Sequence, residues 1–110
     1  MAVSLSFQGA IAVVTINNPP VNATGFAVRA GLMDALRQTE ENSDVQAVVL
    51  NCAGRTFIAG ADVREFGKPP IEPHLPDVLS AIEQASKPWV AAIHGMALGG
   101  GLETAMVCHH

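Results

Sequence analysis

The chain predicts an α/β fold built on a parallel sheet. Apolar, β-branched runs alternate with stretches whose apolar residues recur at helical spacing. The run Ala47-Val48-Val49-Leu50-Asn51-Cys52 reads as a strand buried on both faces, as parallel strands are. A strand-like run, a glycine-rich turn and a helix start also occur twice, about forty residues apart, which suits a coil of β-β-α turns.

The elements follow in order. Residues 5–8 and 11–17 are rich in β-branched side chains and flank Gly9-Ala10, so they predict a hairpin. Asn17-Asn18-Pro19-Pro20 ends the second strand, because consecutive prolines cannot continue a ladder. Asn22 is expected to hydrogen-bond the turn that follows. Thr24 offers an N-cap, and Phe26, Val28, Leu32, Met33 and Leu36 form a helical stripe running to about Glu41. Arg29, Arg37, Glu40 and Glu41 are expected on the wetter side of that helix. After the 47–52 strand come a glycine segment, a short helical piece over 62–66 and a loop over 67–76 with four prolines, to which no single conformation is assigned. Val78, Leu79 and Ile82 mark a further helix over 76–86. Lys87-Pro88 breaks it, residues 89–93 form the next buried strand, and a helix starts at Leu102.

With 110 residues the chain is one domain at most, and 49% apolar content is enough for a core. It lacks an apolar run of membrane-spanning length. Residues 1–7 have no basic stretch leading into a long apolar one, so secretion is not expected. A formal charge of −4 and a pI near 5.4 argue against nucleic-acid binding. Cys52 and Cys108 form no Cys-x-x-Cys pair and read as buried thiols of a reducing compartment. Cys108, His109 and His110 lack a second ligand pair at helical spacing, so no metal is expected.

Two segments carry the chemistry: Phe57-Ile58-Ala59-Gly60-Ala61-Asp62, and His94-Gly95-Met96-Ala97-Leu98-Gly99-Gly100-Gly101-Leu102-Glu103. Each lies between an apolar strand and a helix start, leaving backbone N–H groups free at two strand-to-helix junctions. Two such groups aimed at one point make an oxyanion hole. Other glycine motifs fail. A dinucleotide fingerprint would need Gly or Ala at Thr104, a phosphate loop would need Lys after Gly100, and no Gly-x-Ser-x-Gly occurs.

These segments, together with Asn18-Pro19-Pro20-Val21-Asn22-Ala23 and Lys87-Pro88-Trp89-Val90-Ala91-Ala92-Ile93-His94-Gly95, resemble the enoyl-CoA hydratase/isomerase (crotonase) superfamily over nearly the whole chain. The Asn-Pro-Pro-Val-Asn-Ala and Gly-Gly-Gly-Leu-Glu stretches look most like the hydratase/isomerase half of multifunctional β-oxidation enzymes. The resemblance implies a crotonase-like spiral of β-β-α turns, of which residues 1–110 would be the N-terminal portion, without the later core turns and the C-terminal helical region.

It also implies roles. Ala61 and Gly100 match the positions whose N–H groups hold the thioester oxygen of an acyl-CoA, and Glu103 matches the first of two catalytic glutamates. The alternative for Glu103 is an acidic residue stabilised by the dipole of a first helical turn. The second glutamate would lie about twenty residues beyond Glu103, past His110. Ala59, Gly60, Asp62 and Gly99 belong to the implied substrate-binding set, Ala59 by lining the adenine pocket with its backbone. Asp62 serves better as a helix cap than as a catalyst. Arg55 and Arg64, with Lys68, stand either near the CoA phosphates or as solvated surface cations. His94 is expected to be structural.

The leading expectation is hydration of 2-enoyl-CoA in fatty-acid β-oxidation. Δ3-Δ2-enoyl-CoA isomerisation is the nearest rival, and a non-catalytic acyl-CoA-binding module is a third reading. The expected partner is the acyl-CoA substrate, with no cofactor beyond it. The assembly is expected to be a homotrimer or hexamer if the enzyme stands alone, or further domains of a multifunctional chain. The expected location is the cytoplasm in a bacterium or the peroxisome in a eukaryote.

Overall fold

The computed structural model describes residues 2–18, 22–54, 58, 69, 71–93, 104 and 106–108. Strands β1 (Val3–Gln8) and β2 (Ile11–Ile16) form the expected antiparallel hairpin around Gly9-Ala10, with Gln8 opposite Ile11 and Val3 opposite Ile16. Helix α1 (Phe26–Glu41) returns the chain, and β3 (Ala47–Cys52) then pairs parallel to β2, with Val14 opposite Leu50. Helix α2 (Leu75–Glu83) makes a second crossover to β4 (Trp89–Ala91), which pairs parallel to β3. The sheet order is β1-β2-β3-β4. The parallel sheet expected from the alternating pattern is therefore present.

The core lies on one face of this sheet. Val3, Ala12, Val14, Ile16, Val48, Leu50, Cys52 and Trp89 are buried together with Val28, Leu32 and Leu36 of α1 and Val78 and Ile82 of α2. Burial alternates along β2 and β3, so β3 is not buried on both faces as its apolar run suggested. Val48, Leu50 and Cys52 are buried, whereas Ala47, Val49 and Asn51 are half-buried. The pleat sends successive side chains to opposite faces, and α1 packs on β1 and β2 from one side only.

Contact between α1 and β1 is close. A Cβ placed on Gly31 would come within 2.6 Å of Val3 Cγ2 and 2.7 Å of Val3 Cβ, so glycine is what lets the helix backbone approach.

Three expectations for α1 change. Gly25, not Thr24, occupies the N-cap, without a side-chain cap bond. Phe26 is exposed, because it precedes the first turn that faces the sheet. Arg29 is buried rather than on the wetter side. It lies three residues before Leu32 and seven before Leu36, on the same helical stripe. The guanidinium donates to the carbonyls of Thr24 at 2.8 Å, Pro73 at 2.8 Å and Ile71 at 3.2 Å. It thus ties residues 71–73 of the proline-rich segment to the start of α1, giving that part of the segment a definite anchorage. Helix α2 begins earlier than the 76–86 estimate, with Pro76 in its first turn, where a missing N–H costs nothing.

The C-terminal end of α1 is held by the turn that precedes β4. Lys87 Nζ donates to the carbonyls of Thr39 and Asn42. The Glu40 carboxylate accepts from the Ser86 N–H at 3.1 Å and from Ser86 Oγ at 2.8 Å.

Candidate active site

The two glycine segments leave the sheet from neighbouring strands at one edge. Leu50 of β3 stands opposite Ala91 of β4, and the Ala92 N–H donates to the Leu50 carbonyl at 2.9 Å. At the other end of β4, the Val48 N–H donates to the Pro88 carbonyl at 2.9 Å. The two glycine segments follow β3 and β4 in sequence, beyond the carboxyl ends of these paired strands. In open α/β sheets this edge, outside the carboxyl ends of parallel strands, is where ligands bind.

The exit from β3 is set by hydrogen bonds. The Ala53 N–H donates to the Ile16 carbonyl at 2.7 Å, and the Ala53 carbonyl accepts from Asn22 Nδ2 at 2.9 Å. Gly54 follows at φ +84°, a conformation that suits glycine. Asn22 also accepts the Asn18 N–H on Oδ1 at 2.7 Å, which is the turn bond expected of it. Its reach across to Ala53 was not anticipated.

Arg55, Ala59, Gly60, Ala61, Asp62, Arg64, Gly99, Gly100 and Glu103 lie outside the described residues, as do Lys68, His94 and the 62–66 helical piece. Two described residues bracket them. Ile58, three positions before Ala61, is fully buried in the core. Thr104, next to Glu103, is helical and fully buried, and its carbonyl lies 3.5 Å from Cys108 Sγ.

Neither cysteine suits nucleophilic work. Burial pushes the Cys52 thiol up to about 12 and the Cys108 thiol up to about 11, so both stay protonated at neutral pH. A cavity of about 510 Å³ lies against Ala30, Met33 and Leu36 of α1 and Pro73, and the residues that line it include none of the described residues at either strand exit.

Residues 6–110 match the family model described as Enoyl-CoA hydratase/isomerase. The chain belongs to the enoyl-CoA hydratase/isomerase family. A peroxisomal bifunctional enzyme of Danio rerio is 46% identical over 100 residues, covering 91% of this chain and 14% of that protein. A probable enoyl-CoA hydratase of Bacillus subtilis is 40% identical over 115 residues, covering 98% of this chain and 45% of its own length. Among solved structures, the enoyl-CoA hydratase of Bacillus anthracis superposes with a TM-score of 0.90 at 28% identity, over 99% of this chain and 46% of that one. A monofunctional enoyl-CoA isomerase from M. smegmatis superposes with a TM-score of 0.81 at 32% identity, over 97% and 47%. The fold is that of the crotonase family, and the chain spans less than half the length of each of these four proteins.

The charge of Arg29 points to solvent, but its position on the apolar stripe turns it inward to backbone carbonyls. The contacts of Lys87 carry no local signal in the sequence, because its acceptors lie more than forty residues away.

Proposed function

We propose that the protein carrying this chain hydrates 2-enoyl-CoA thioesters in fatty-acid β-oxidation. The observation that supports this reading is the parallel pairing of β3 with β4, which starts both glycine segments from one sheet edge. In the proposed site the Ala61 and Gly100 N–H groups hold the thioester oxygen. Water adds its oxygen to C3 as the C2–C3 π bond breaks, and negative charge collects on the thioester oxygen in the enolate. Each backbone donor can contribute about 3 kcal/mol to its stabilisation. Glu103 orients and deprotonates the water, and C2 then takes a proton, a task a second carboxylate can share.

Gly60 and Gly99 shape the thioester's approach, the Ala59 backbone lines the adenine pocket, Asp62 caps the helix after the first segment, and Arg55 and Arg64 face the CoA phosphates. No cofactor beyond the substrate's own CoA is required. Homo-oligomers or fused domains, and a peroxisomal or bacterial cytoplasmic location, belong to the same proposal, and relatives named peroxisomal bifunctional enzyme and probable enoyl-CoA hydratase of Bacillus subtilis support its peroxisomal and bacterial alternatives. No helix among the described residues is long and apolar enough to cross a membrane.

The test is kinetic, in the intact protein. Glu103→Gln is expected to lower kcat for crotonyl-CoA hydration by at least about 10² while leaving affinity for the CoA product little changed. Ala61→Pro, which removes a donor, is expected to cost a similar factor, and Ala61→Ser, which keeps it, far less. Equal effects of the two Ala61 substitutions count against a backbone donor there.

Isomerisation is favoured as the second reading by the similarity to the M. smegmatis isomerase. The same hole would stabilise a dienolate. Shift of a 3-enoyl-CoA double bond without hydration of crotonyl-CoA would select it. Binding of acyl-CoA without either turnover would select a non-catalytic binding module.

A further inference from the structure

Among the described residues, strand β1 is an edge of the sheet. The order β1-β2-β3-β4 follows the chain, so a chain that continues the pattern extends the sheet from β4 and leaves β1 on the far side. The phase of the hairpin decides which backbone groups face outward. The Asn17 N–H donates to the Ala2 carbonyl at 2.7 Å, and residues from Val3 to Gln8 continue that register. In an antiparallel pair, residues that exchange bonds alternate with residues that do not. Ala2, Ser4, Ser6 and Gln8 therefore bond to β2. Val3, Leu5 and Phe7 turn their N–H and C=O groups outward.

Sheets commonly guard such an edge with lysine, proline or a bulge. Strand β1 carries none of these, and residues 2–28 hold no charged side chain. Two side-chain features accompany the open edge. Phe7 is 52% exposed and shares a sheet face with Val3 and Leu5, the face on which α1 packs. A cavity of about 280 Å³ is lined by Val3, Ser4 and Leu5 together with Gly31, Asp34, Ala35 and Gln38 of α1. No residue of β2 lines it, so it opens on the outer side of β1.

We propose that β1 pairs antiparallel with β1 of a second copy, about a two-fold axis at Leu5. This register sets Leu5 opposite its own copy and Phe7 opposite Val3. The outward N–H and C=O groups of all three residues then find partners across the axis. Each Phe7 is delivered to the Val3 end of the other strand, where the cavity lies. The exposed ring and the cavity are thus complementary within one surface, as a two-fold contact requires. Charge favours a second copy over a charged peptide. Like charges directly opposite destabilise a strand pair. Strand β1 has no charge to repel its copy and none to attract a charged segment.

The test begins with the mass of the intact protein by sedimentation equilibrium. Phe7→Lys replaces an exposed ring and sets a charge in the contact. It is expected to halve the particle mass, whatever other contacts the assembly makes. The second measurement is cross-linking under mild oxidation. Facing residues that exchange bonds lie about 5.5 Å apart at Cα, within the disulfide range of about 4.4–6.8 Å. Leu5→Cys is therefore expected to give a disulfide-linked pair. Phe7→Cys is the control, since its copy lies four residues along the strand, about 13 Å or more away.

An unchanged mass in a Phe7→Lys protein that keeps its far-UV circular dichroism would overturn the proposal. Cross-linking of Leu5→Cys no faster than of Phe7→Cys would also overturn it, and this comparison stands by itself if Phe7→Lys does not fold. A parent particle with an odd number of chains would do so too, leaving the edge to an extended segment of a different protein.

Discussion

The two ends of α1 are fastened by the same chemistry in opposite settings. At the N-terminal end a cation from the helix itself, Arg29, is buried and donates to three carbonyls, two of them in residues 71–73. At the C-terminal end the cation arrives from outside the helix. Lys87, half-buried, reaches back to the carbonyls of Thr39 and Asn42. A planar guanidinium can serve several acceptors in fixed directions, which suits a buried junction of three backbone segments. A compact ammonium suits the end of a helix, where unpaired carbonyls and the macrodipole favour positive charge. Burial decides how much each fastening matters, because water replaces a lost donor at the surface and not in the interior.

Arg29→Met should break the stronger end. It removes a buried donor that serves three carbonyls, and a loss of about 3 kcal/mol or more is expected by urea denaturation of the intact protein. Arg29→Lys should recover only part of this, since one ammonium cannot span the same three directions. A variant Arg29→Met with parental stability would mean that water reaches these carbonyls.

Lys87→Met should cost less, about 1–2 kcal/mol, since the Lys87 side chain is itself only half-buried and serves two carbonyls rather than three. The difference from Arg29→Met in one denaturation series measures the effect of burial on otherwise similar bonds. Equal losses would remove the distinction between the two ends.

The smallest effect concerns Glu40. Desolvation pushes its carboxyl up, but hydrogen bonds from the Ser86 N–H and hydroxyl, with the Lys87 N–H and the Lys87 charge, together outweigh this and hold it below its ordinary value of 4.5. A carboxyl lowered in the folded state contributes stability above its unfolded value and loses it as pH falls through the folded one. The contribution should therefore be present at neutral pH and fade below about 4.5, by no more than a few tenths of a kcal/mol at so exposed a site. Comparing Glu40→Gln with the parent across that acid range checks it. A Glu40→Gln curve parallel to the parent's at every pH would show that the Ser86 contacts carry no pH-dependent stability.

Much of the fold was legible because its signals are local. The β-branched run of residues 11–16, the Val28-Leu32-Leu36 stripe and the Val78-Leu79-Ile82 face are each confined to one element, and each forms as expected. The errors have local causes too. An apolar run such as 47–52 does not say whether one or both faces will be covered. Arg29 was placed by its charge, yet a long side chain can keep its stem on the apolar stripe and bring its head to carbonyl acceptors. The candidate site was legible as two glycine segments and one glutamate, whose spacing carries the family resemblance. The support behind them was not, because Asn22 and Ala53 meet only after β2 and β3 have paired.

By itself, the sequence determined the order of the hairpin, α1, β3, α2 and β4, and membership of the enoyl-CoA hydratase/isomerase family, since periodicity and motif spacing are properties of the unfolded string. Only the tertiary structure decided that β3 and β4 are neighbours in register, that Asn22 grips Ala53, and that Arg29 is an interior donor. These depend on contacts between residues 31 or more positions apart along the chain, or on which face another element covers. Backbone hydrogen bonds look alike at every register. The choice among them is made by the apolar surface that the whole assembly removes from water.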